Sequence, residues 1–167
     1  MKITIIGAAG KMGEWFTRYF KGKRNEILVY DLDYEKAERI AKEYGAMNNE
    51  NMISAVKEAD LILISVPIAI TAEIVTEVAK SAKKGTIIIE VASFKERIIN
   101  AYKKTMKKNM VFLSIHPMFG PGAKNLLHSK MIVVTVLDSE KEIEVTKRIF
   151  PEADVVSASA KEHDEAM

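Results

Sequence analysis

Four features of this 167-residue sequence have the residue types and spacing to do chemistry. In "SIHPMFGPGA" an apolar run stops at His116-Pro117, and Gly120, Pro121 and Gly122 follow at once. Pro and Gly at that density shape a fixed loop rather than a helix, so an imidazole is delivered to the end of an extended segment. Neutral imidazole, with a pKa near ~6.5, accepts protons at neutral pH. A general base and an ordinary hydrogen-bonded rim histidine both fit that position. In "ITIIGAAGKMG", Gly7-x-x-Gly10-x-x-Gly13 joins a β-branched run to an amphipathic segment. Glycines in such a turn let the backbone approach a pyrophosphate, which is attracted by the unsatisfied N–H groups and positive dipole end of the helix that follows. The spacing departs from G-x-G-x-x-G by placing Ala8 where the first glycine would fall; the strand before and helix after are what support dinucleotide binding. The G-K-[ST] ending of a P-loop is missing.

The third feature is Asp31, which closes "EILVYD" at close to the separation of about 20 residues expected after a dinucleotide loop. A carboxylate there accepts hydrogen bonds from both ribose hydroxyls and repels a 2′-phosphate, favouring NAD over NADP. Capping the next helix is the alternative. The fourth is a set of strand ends: Ser65-Val66-Pro67 after "DLILI", and Ser93 after "TIIIEVA". The residues expected to touch a dinucleotide are therefore Gly7, Ala8, Gly10, Lys11, Met12, Gly13, Asp31, Ser65, Val66 and Pro67. Ser93 is either a partner for a hydroxyl or imidazole at the site or the N-cap of a helix beginning in "FKERI".

These residues need a scaffold, and the hydrophobic pattern supplies one. Ile3 to Ile6 reads as a buried parallel strand. Met12, Trp15, Phe16, Tyr19 and Phe20 then fall on one helix face. The alternation continues with "EILVYD", a helix through Ala37, Ile40, Ala41 and Tyr44, a short helix from Met52 to Ala59, and the strand "DLILISVP". A helix marked by Ile70, Ile74, Val78 and Ala82, the strand "TIIIEVAS", a helix from Ile98 to Met106, the strands "MVFLSI" and "MIVVTV", an amphipathic segment from Ile143 to Phe150 and the strand "ADVVS" complete it. Strands alternating with helices predict an α/β fold of the Rossmann type: a doubly wound, mainly parallel sheet with helices on both faces. In such sheets ligands lie outside the carboxyl ends of the strands, where strand order reverses. Ser159-Ala160-Lys161-Glu162 matches a capping box, so a helix starts there, and we expect residues 1–158 to form the dinucleotide-binding domain and 159–167 to open a helix leading to a second domain; a frayed terminal turn is the alternative.

Composition narrows the classes. Lys+Arg 25 against Asp+Glu 23 leaves a formal charge of +2, and the lysines alternate with acids as on a solvated surface. The densest basic cluster, Lys103, Lys104, Lys107 and Lys108, has the spacing of an exposed helix face, so nucleic acid is not an expected partner. The chain has no Cys, which excludes disulfides and thiolate catalysis and fits a reducing, cytoplasmic setting. No apolar run approaches the length needed to cross a bilayer. Neither the histidines nor the carboxylates have metal-ligand spacing, so no metal is expected. His128 reads as a loop or surface residue.

Taken together, "HPMFGPGA", "VASFK", "GAAGKMG" and "EHDEAM" resemble the nucleotide-binding half of the prephenate dehydrogenases, including the arogenate-using members, over essentially all of the chain. The resemblance implies an NAD-dependent oxidative decarboxylation of prephenate to 4-hydroxyphenylpyruvate on the route to tyrosine. His116 matches that family's catalytic histidine and Ser93 the serine that supports it, and because the resemblance includes "EHDEAM", His163 is either a neighbour of the site or a solvent-facing first-turn residue. It also implies a following helical domain carrying an arginine for the substrate carboxylates and most of a homodimer contact. A hydroxyacid or imino acid reductase sharing the same half, and a non-catalytic dinucleotide-binding module, are the competing readings.

Overall fold

A computed structural model describes residues 1–107 and 110–167. Eight strands, β1 (Lys2–Ile6), β2 (Glu26–Tyr30), β3 (Met47–Asn48), β4 (Leu61–Ile64), β5 (Ile87–Glu90), β6 (Val111–Pro117), β7 (Lys130–Val134) and β8 (Asp154–Ala158), form one sheet in the order β3-β2-β1-β4-β5-β6-β7-β8. Among the described residues seven helices accompany them: α1 (Lys11–Gly22), α2 (Tyr34–Tyr44), α3 (Met52–Lys57), α4 (Ile68–Ser81), α5 (Glu96–Thr105), α6 (Ser139–Ile149) and α7 (Ala160–Ala166). This is the Rossmann-type architecture the periodicity predicts.

The pleat sorts the strand residues onto two faces. Ile3, Ile5, Leu61 and Leu63 pack with Trp15, Phe16 and Phe20 of α1 and Val145 of α6. Ile62, Ile64 and Ile88 pack with Val75 and Val78 of α4 and Ile99 and Tyr102 of α5. Because both faces are covered, the central strands are nearly continuous apolar runs rather than alternating ones, with Thr4, Glu90 and Ser114 as buried polar exceptions.

Strand pairing is parallel except between β6 and β7. Residues 118–129 contain no helix, and a parallel return would need a crossover of a dozen or more residues, usually helical, so β7 returns antiparallel. The pairing extends β6 beyond the expected end of "MVFLSI": His116 lies opposite Ile132 and Pro117 opposite Met131, inside the strand. Met118 donates its backbone N–H to the Lys130 carbonyl, so the intervening Pro117 nitrogen faces away from β7. On that other side β5 has already ended at the Glu90–Ser114 pair, and the missing proline N–H costs no ladder bond.

Two further differences concern the surface. Helix α5 stops at Thr105, so Lys107 lies past it and donates to the Lys80 carbonyl instead of extending a basic helix face; Lys108 falls outside the described residues. The short strand β3 has no counterpart in the periodicity, because two residues are too few to show a period. Among the described residues no helix is long and apolar enough to cross a membrane.

Candidate functional site

Strand order reverses between β1 and β4, and their carboxyl ends open into a cavity of about 520 Å³ lined by Gly7, Gly10, Asp31, Ser65, Val66 and Pro67 among others. The loop that shapes it is held by backbone packing. Gly7 has φ +85, and a Cβ added there would lie 2.3 Å from the Ser65 carbonyl oxygen. A Cβ on Gly13 would lie 2.1 Å from the Gly7 carbonyl oxygen, so both positions require glycine for helix α1 to sit against β1 and β4. Helix α1 has Gly10 at its N-cap and no side-chain cap, which leaves its first-turn N–H groups for an anion.

Asp31 sits just beyond β2 and does not cap α2; Asp33 does, accepting from the Lys36 N–H. The Asp31 carboxylate instead accepts from the Ala9 N–H at 2.9 Å and the Asp33 N–H at 3.0 Å. It therefore anchors the glycine loop to β2 and still has lone pairs free for hydroxyl donors. Ala8 is fully buried in the core, and Ala9 lines the cavity in its place. Lys11, Met12 and Gly13 are on the first turn of α1 rather than on the cavity wall. Met12 lines a smaller hollow of about 210 Å³ with Ser93, Ser65 and Val66, and the last two residues border both spaces.

His116 comes to the same edge of the sheet from β6. Its Nδ1 lies 2.8 Å from Nε2 of His163, a buried residue of α7, and His163 Nδ1 lies 2.8 Å from Asp164 Oδ1. The box that starts α7 is present: Ser159 Oγ accepts from the Glu162 N–H, and a Glu162 carboxylate oxygen accepts from the Ser159 N–H. His163 therefore faces inward rather than to solvent. Its neighbour Asp164 also accepts from the backbone N–H groups of Lys95 (3.0 Å) and Glu96 (2.9 Å), capping α5 from outside that helix. Ser93 accordingly does not cap α5; Lys95 holds the N-cap position, and Ser93 is exposed on the loop after β5.

Beneath His116 lies a charged pair without solvent contact. Lys95 Nζ donates to Glu90 Oε1 and to the Ile115 carbonyl, each at 2.8 Å, and both side chains are 0% exposed. Ser114 Oγ also donates to Glu90, and the Ala92 N–H donates to its other oxygen. This network holds the ends of β5 and β6, and with them Ser93 and His116. Burial lowers the His116 pKa below the ordinary imidazole value, and the positive charge of Lys95 and the His163 ring act in the same direction. Burial opposes ionisation of Asp164, but the Glu96 N–H, the His163 ring and the Lys95 N–H together hold its pKa below the usual carboxylate value.

The loop behind His116 is tied to α1. The Ala123 carbonyl accepts from Trp15 Nε1 at 2.6 Å and from Arg18 at 3.0 Å, and the Phe119 ring lies 4.7 Å from that of Trp15. His128 is exposed in a turn with φ 60. Among the described residues no group of three or more His, Asp or Glu is arranged to hold a metal ion.

Glu90, Lys95, Ser114 and Asp164 lie inside the quoted segments, but motif and spacing give none of them a role. Glu90 gave a signal: one carboxylate inside the otherwise apolar "TIIIEVA" demands a buried partner, and Lys95 is five residues on. For Asp164, in "EHDEAM", spacing gives no hint of its partners, because the Lys95 and Glu96 N–H groups lie 69 and 68 residues away.

Residues 16–158 match the family model described as the prephenate dehydrogenase nucleotide-binding domain; the glycine loop precedes that stretch and α7 follows it. A probable arogenate/prephenate dehydrogenase of Methanocaldococcus jannaschii is 30% identical over 100% of this chain and 38% of its own length. A prephenate dehydrogenase of Lactococcus lactis is 29% identical over 98% of this chain and 48% of its own. A probable NADP(+)-linked prephenate dehydrogenase of Schizosaccharomyces pombe is 26% identical over 98% and 38%. The chain thus spans less than half the length of these relatives. The crystal structure of prephenate dehydrogenase from Aquifex aeolicus with hydroxyphenyl propionate and NAD+ superposes with a TM-score of 0.83 at 20% identity, covering 99% of this chain and 62% of that one, a likeness of fold. With the family model spanning most of the sequence, the chain belongs to the prephenate dehydrogenase family as its nucleotide-binding domain.

Proposed function

We propose that this chain is the nucleotide-binding and part-catalytic domain of an NAD-dependent enzyme that oxidises and decarboxylates prephenate to 4-hydroxyphenylpyruvate. The observation that carries the reading is topological. Parallel strands β1, β4, β5 and β6 bring the glycine loop, Ser65, Ser93 and His116 to one edge of the sheet, beside a crevice shaped for a dinucleotide.

NAD, when bound, supplies the hydride acceptor. The glycine loop fits its pyrophosphate, because Gly10 presents no side chain to the cavity and the uncapped turn of α1 offers N–H donors. Asp31 would take the ribose hydroxyls and repel a 2′-phosphate, which supports NAD over NADP. His116 accepts the proton of the substrate's ring hydroxyl as the hydride leaves the same carbon. The ring carboxylate departs as carbon dioxide, its electron pair restores aromaticity, and His116 returns the proton to the oxygen. The exposed Ser93 hydroxyl is assigned to the substrate hydroxyl.

Calorimetric titration with NAD and NADP, followed by reduced nicotinamide formation with prephenate, arogenate and a simple hydroxy acid, tests the reading. Tighter NAD binding by the chain, and reduction driven by prephenate in the complete enzyme that carries this domain, are expected. Preference for NADP, or reduction driven only by the simple hydroxy acid, overturns it.

A further inference from the structure

We propose that His163 and Asp164 are positioning residues for His116, fixing its imidazole as the Nδ1–H tautomer so that Nε2 is the basic nitrogen. The inference rests on His116 acting as the base. Its logic is a chain of donors and acceptors. The Asp164 carboxylate already accepts from the backbone N–H groups of Lys95 and Glu96, and neither can act as an acceptor. A carboxylate facing His163 Nδ1 at 2.8 Å requires that nitrogen to donate. In a neutral ring His163 Nε2 is then an acceptor, so His116 Nδ1 must carry the proton that bridges their 2.8 Å separation. His116 Nε2 keeps its lone pair.

The arrangement extends the logic of a catalytic triad by one ring: an aspartate orients a histidine, which orients the reacting histidine. When His116 takes a proton on Nε2, its positive charge is bonded through His163 to the Asp164 carboxylate. Because Asp164 also caps α5, the carboxylate that sets the tautomer fixes α7 against the helix that follows Ser93. Two sheet-edge groups are thereby tied to the first turns of one short helix.

The test reads the tautomer directly and needs no turnover. Multiple-bond proton–nitrogen correlation spectra of the 15N-labelled chain, recorded above the imidazole pKa of ~6.5, are expected to show His116 protonated at Nδ1 and bare at Nε2. In His163→Leu the His116 ring should move to the Nε2–H form or to a mixture. In His163→Gln the amide oxygen can accept from Nδ1–H and should restore the native form. In turnover assays kcat is expected to fall roughly ten-fold in His163→Leu with the KM for NAD unchanged, a fraction of what a general base contributes. If His163→Leu does not fold, Asp164→Asn, whose amide can donate to His163 Nδ1, should produce mixed tautomers at both rings.

A native His116 protonated at Nε2, or a tautomer indifferent to these substitutions, overturns the proposal. A native Nδ1–H tautomer that responds to them, in a complete enzyme carrying this domain that binds NAD yet oxidises neither prephenate nor arogenate, upholds the positioning and refutes the assigned reaction instead.

Discussion

The crevice between β1 and β4 and the polar cluster under His116 lie at the same edge of one sheet and are built by opposite means. The crevice is made of backbone: two glycines that tolerate no Cβ, an uncapped helix end, and a single carboxylate that holds the loop through main-chain N–H groups. The cluster is made of side chains: Glu90, Lys95, Ser114, His116, His163 and Asp164 converge from β5, β6, α7 and the loop before α5. A dinucleotide phosphate needs only oriented N–H groups, whereas a base needs a defined proton on a defined nitrogen. The first demand is met by local geometry and the second by a network.

The sharpest break in that comparison comes from the buried ion pair. Lys95→Met or Glu90→Leu alone leaves a charge without its partner, and each should cost about 3–5 kcal/mol in urea unfolding. The double variant should cost much less than the sum of the two; an additive result would mean that the pair is not the unit we describe. Next in size is Gly13→Ala. Its Cβ meets backbone that cannot move aside cheaply, so about 1–3 kcal/mol of stability should go together with measurable NAD binding, while the His116–His163 contact stays intact. Unchanged NAD affinity in that variant would sever the glycine loop from the cofactor.

Ser159→Ala removes the side-chain cap of α7 and should cost about 1 kcal/mol, seen as a lower thermal midpoint. The smallest effect is on pH dependence. His116 has a lowered pKa in the folded chain, so below ~6.5 the unfolded state binds more protons. Stability therefore falls as pH drops from the free-imidazole pKa through the folded one. His116→Asn should flatten the unfolding free energy over that window.

The same contrast explains what could be read from the sequence. The glycine loop, Asp31 and the strand ends were legible because their partners are near in sequence or fixed by parallel topology, and the apolar strands announce two covered faces. His116 was legible because Pro and Gly punctuate the chain after it. Its continuation inside β6 was not, since that depends on β7 returning antiparallel. Of the two readings its spacing allows for Asp31, the helix cap goes to Asp33 instead, and the anchoring of the loop through the Ala9 N–H rests on a contact across 22 residues that spacing does not show. The inward face of His163 and the role of Asp164 depend on where α7 docks, and no periodicity in seven residues encodes a contact with α5.

The most direct test of the account compares the complete enzyme that carries this domain, native and as His116→Asn, for prephenate-driven reduction of NAD and, in parallel, for NAD affinity. Turnover is expected to fall by about 10²-fold or more while NAD affinity stays within about two-fold of native, because the proposed function gives the proton to the imidazole and the cofactor to the glycine loop. Equal loss of both would contradict the division between backbone crevice and side-chain network and would make His116 a structural residue.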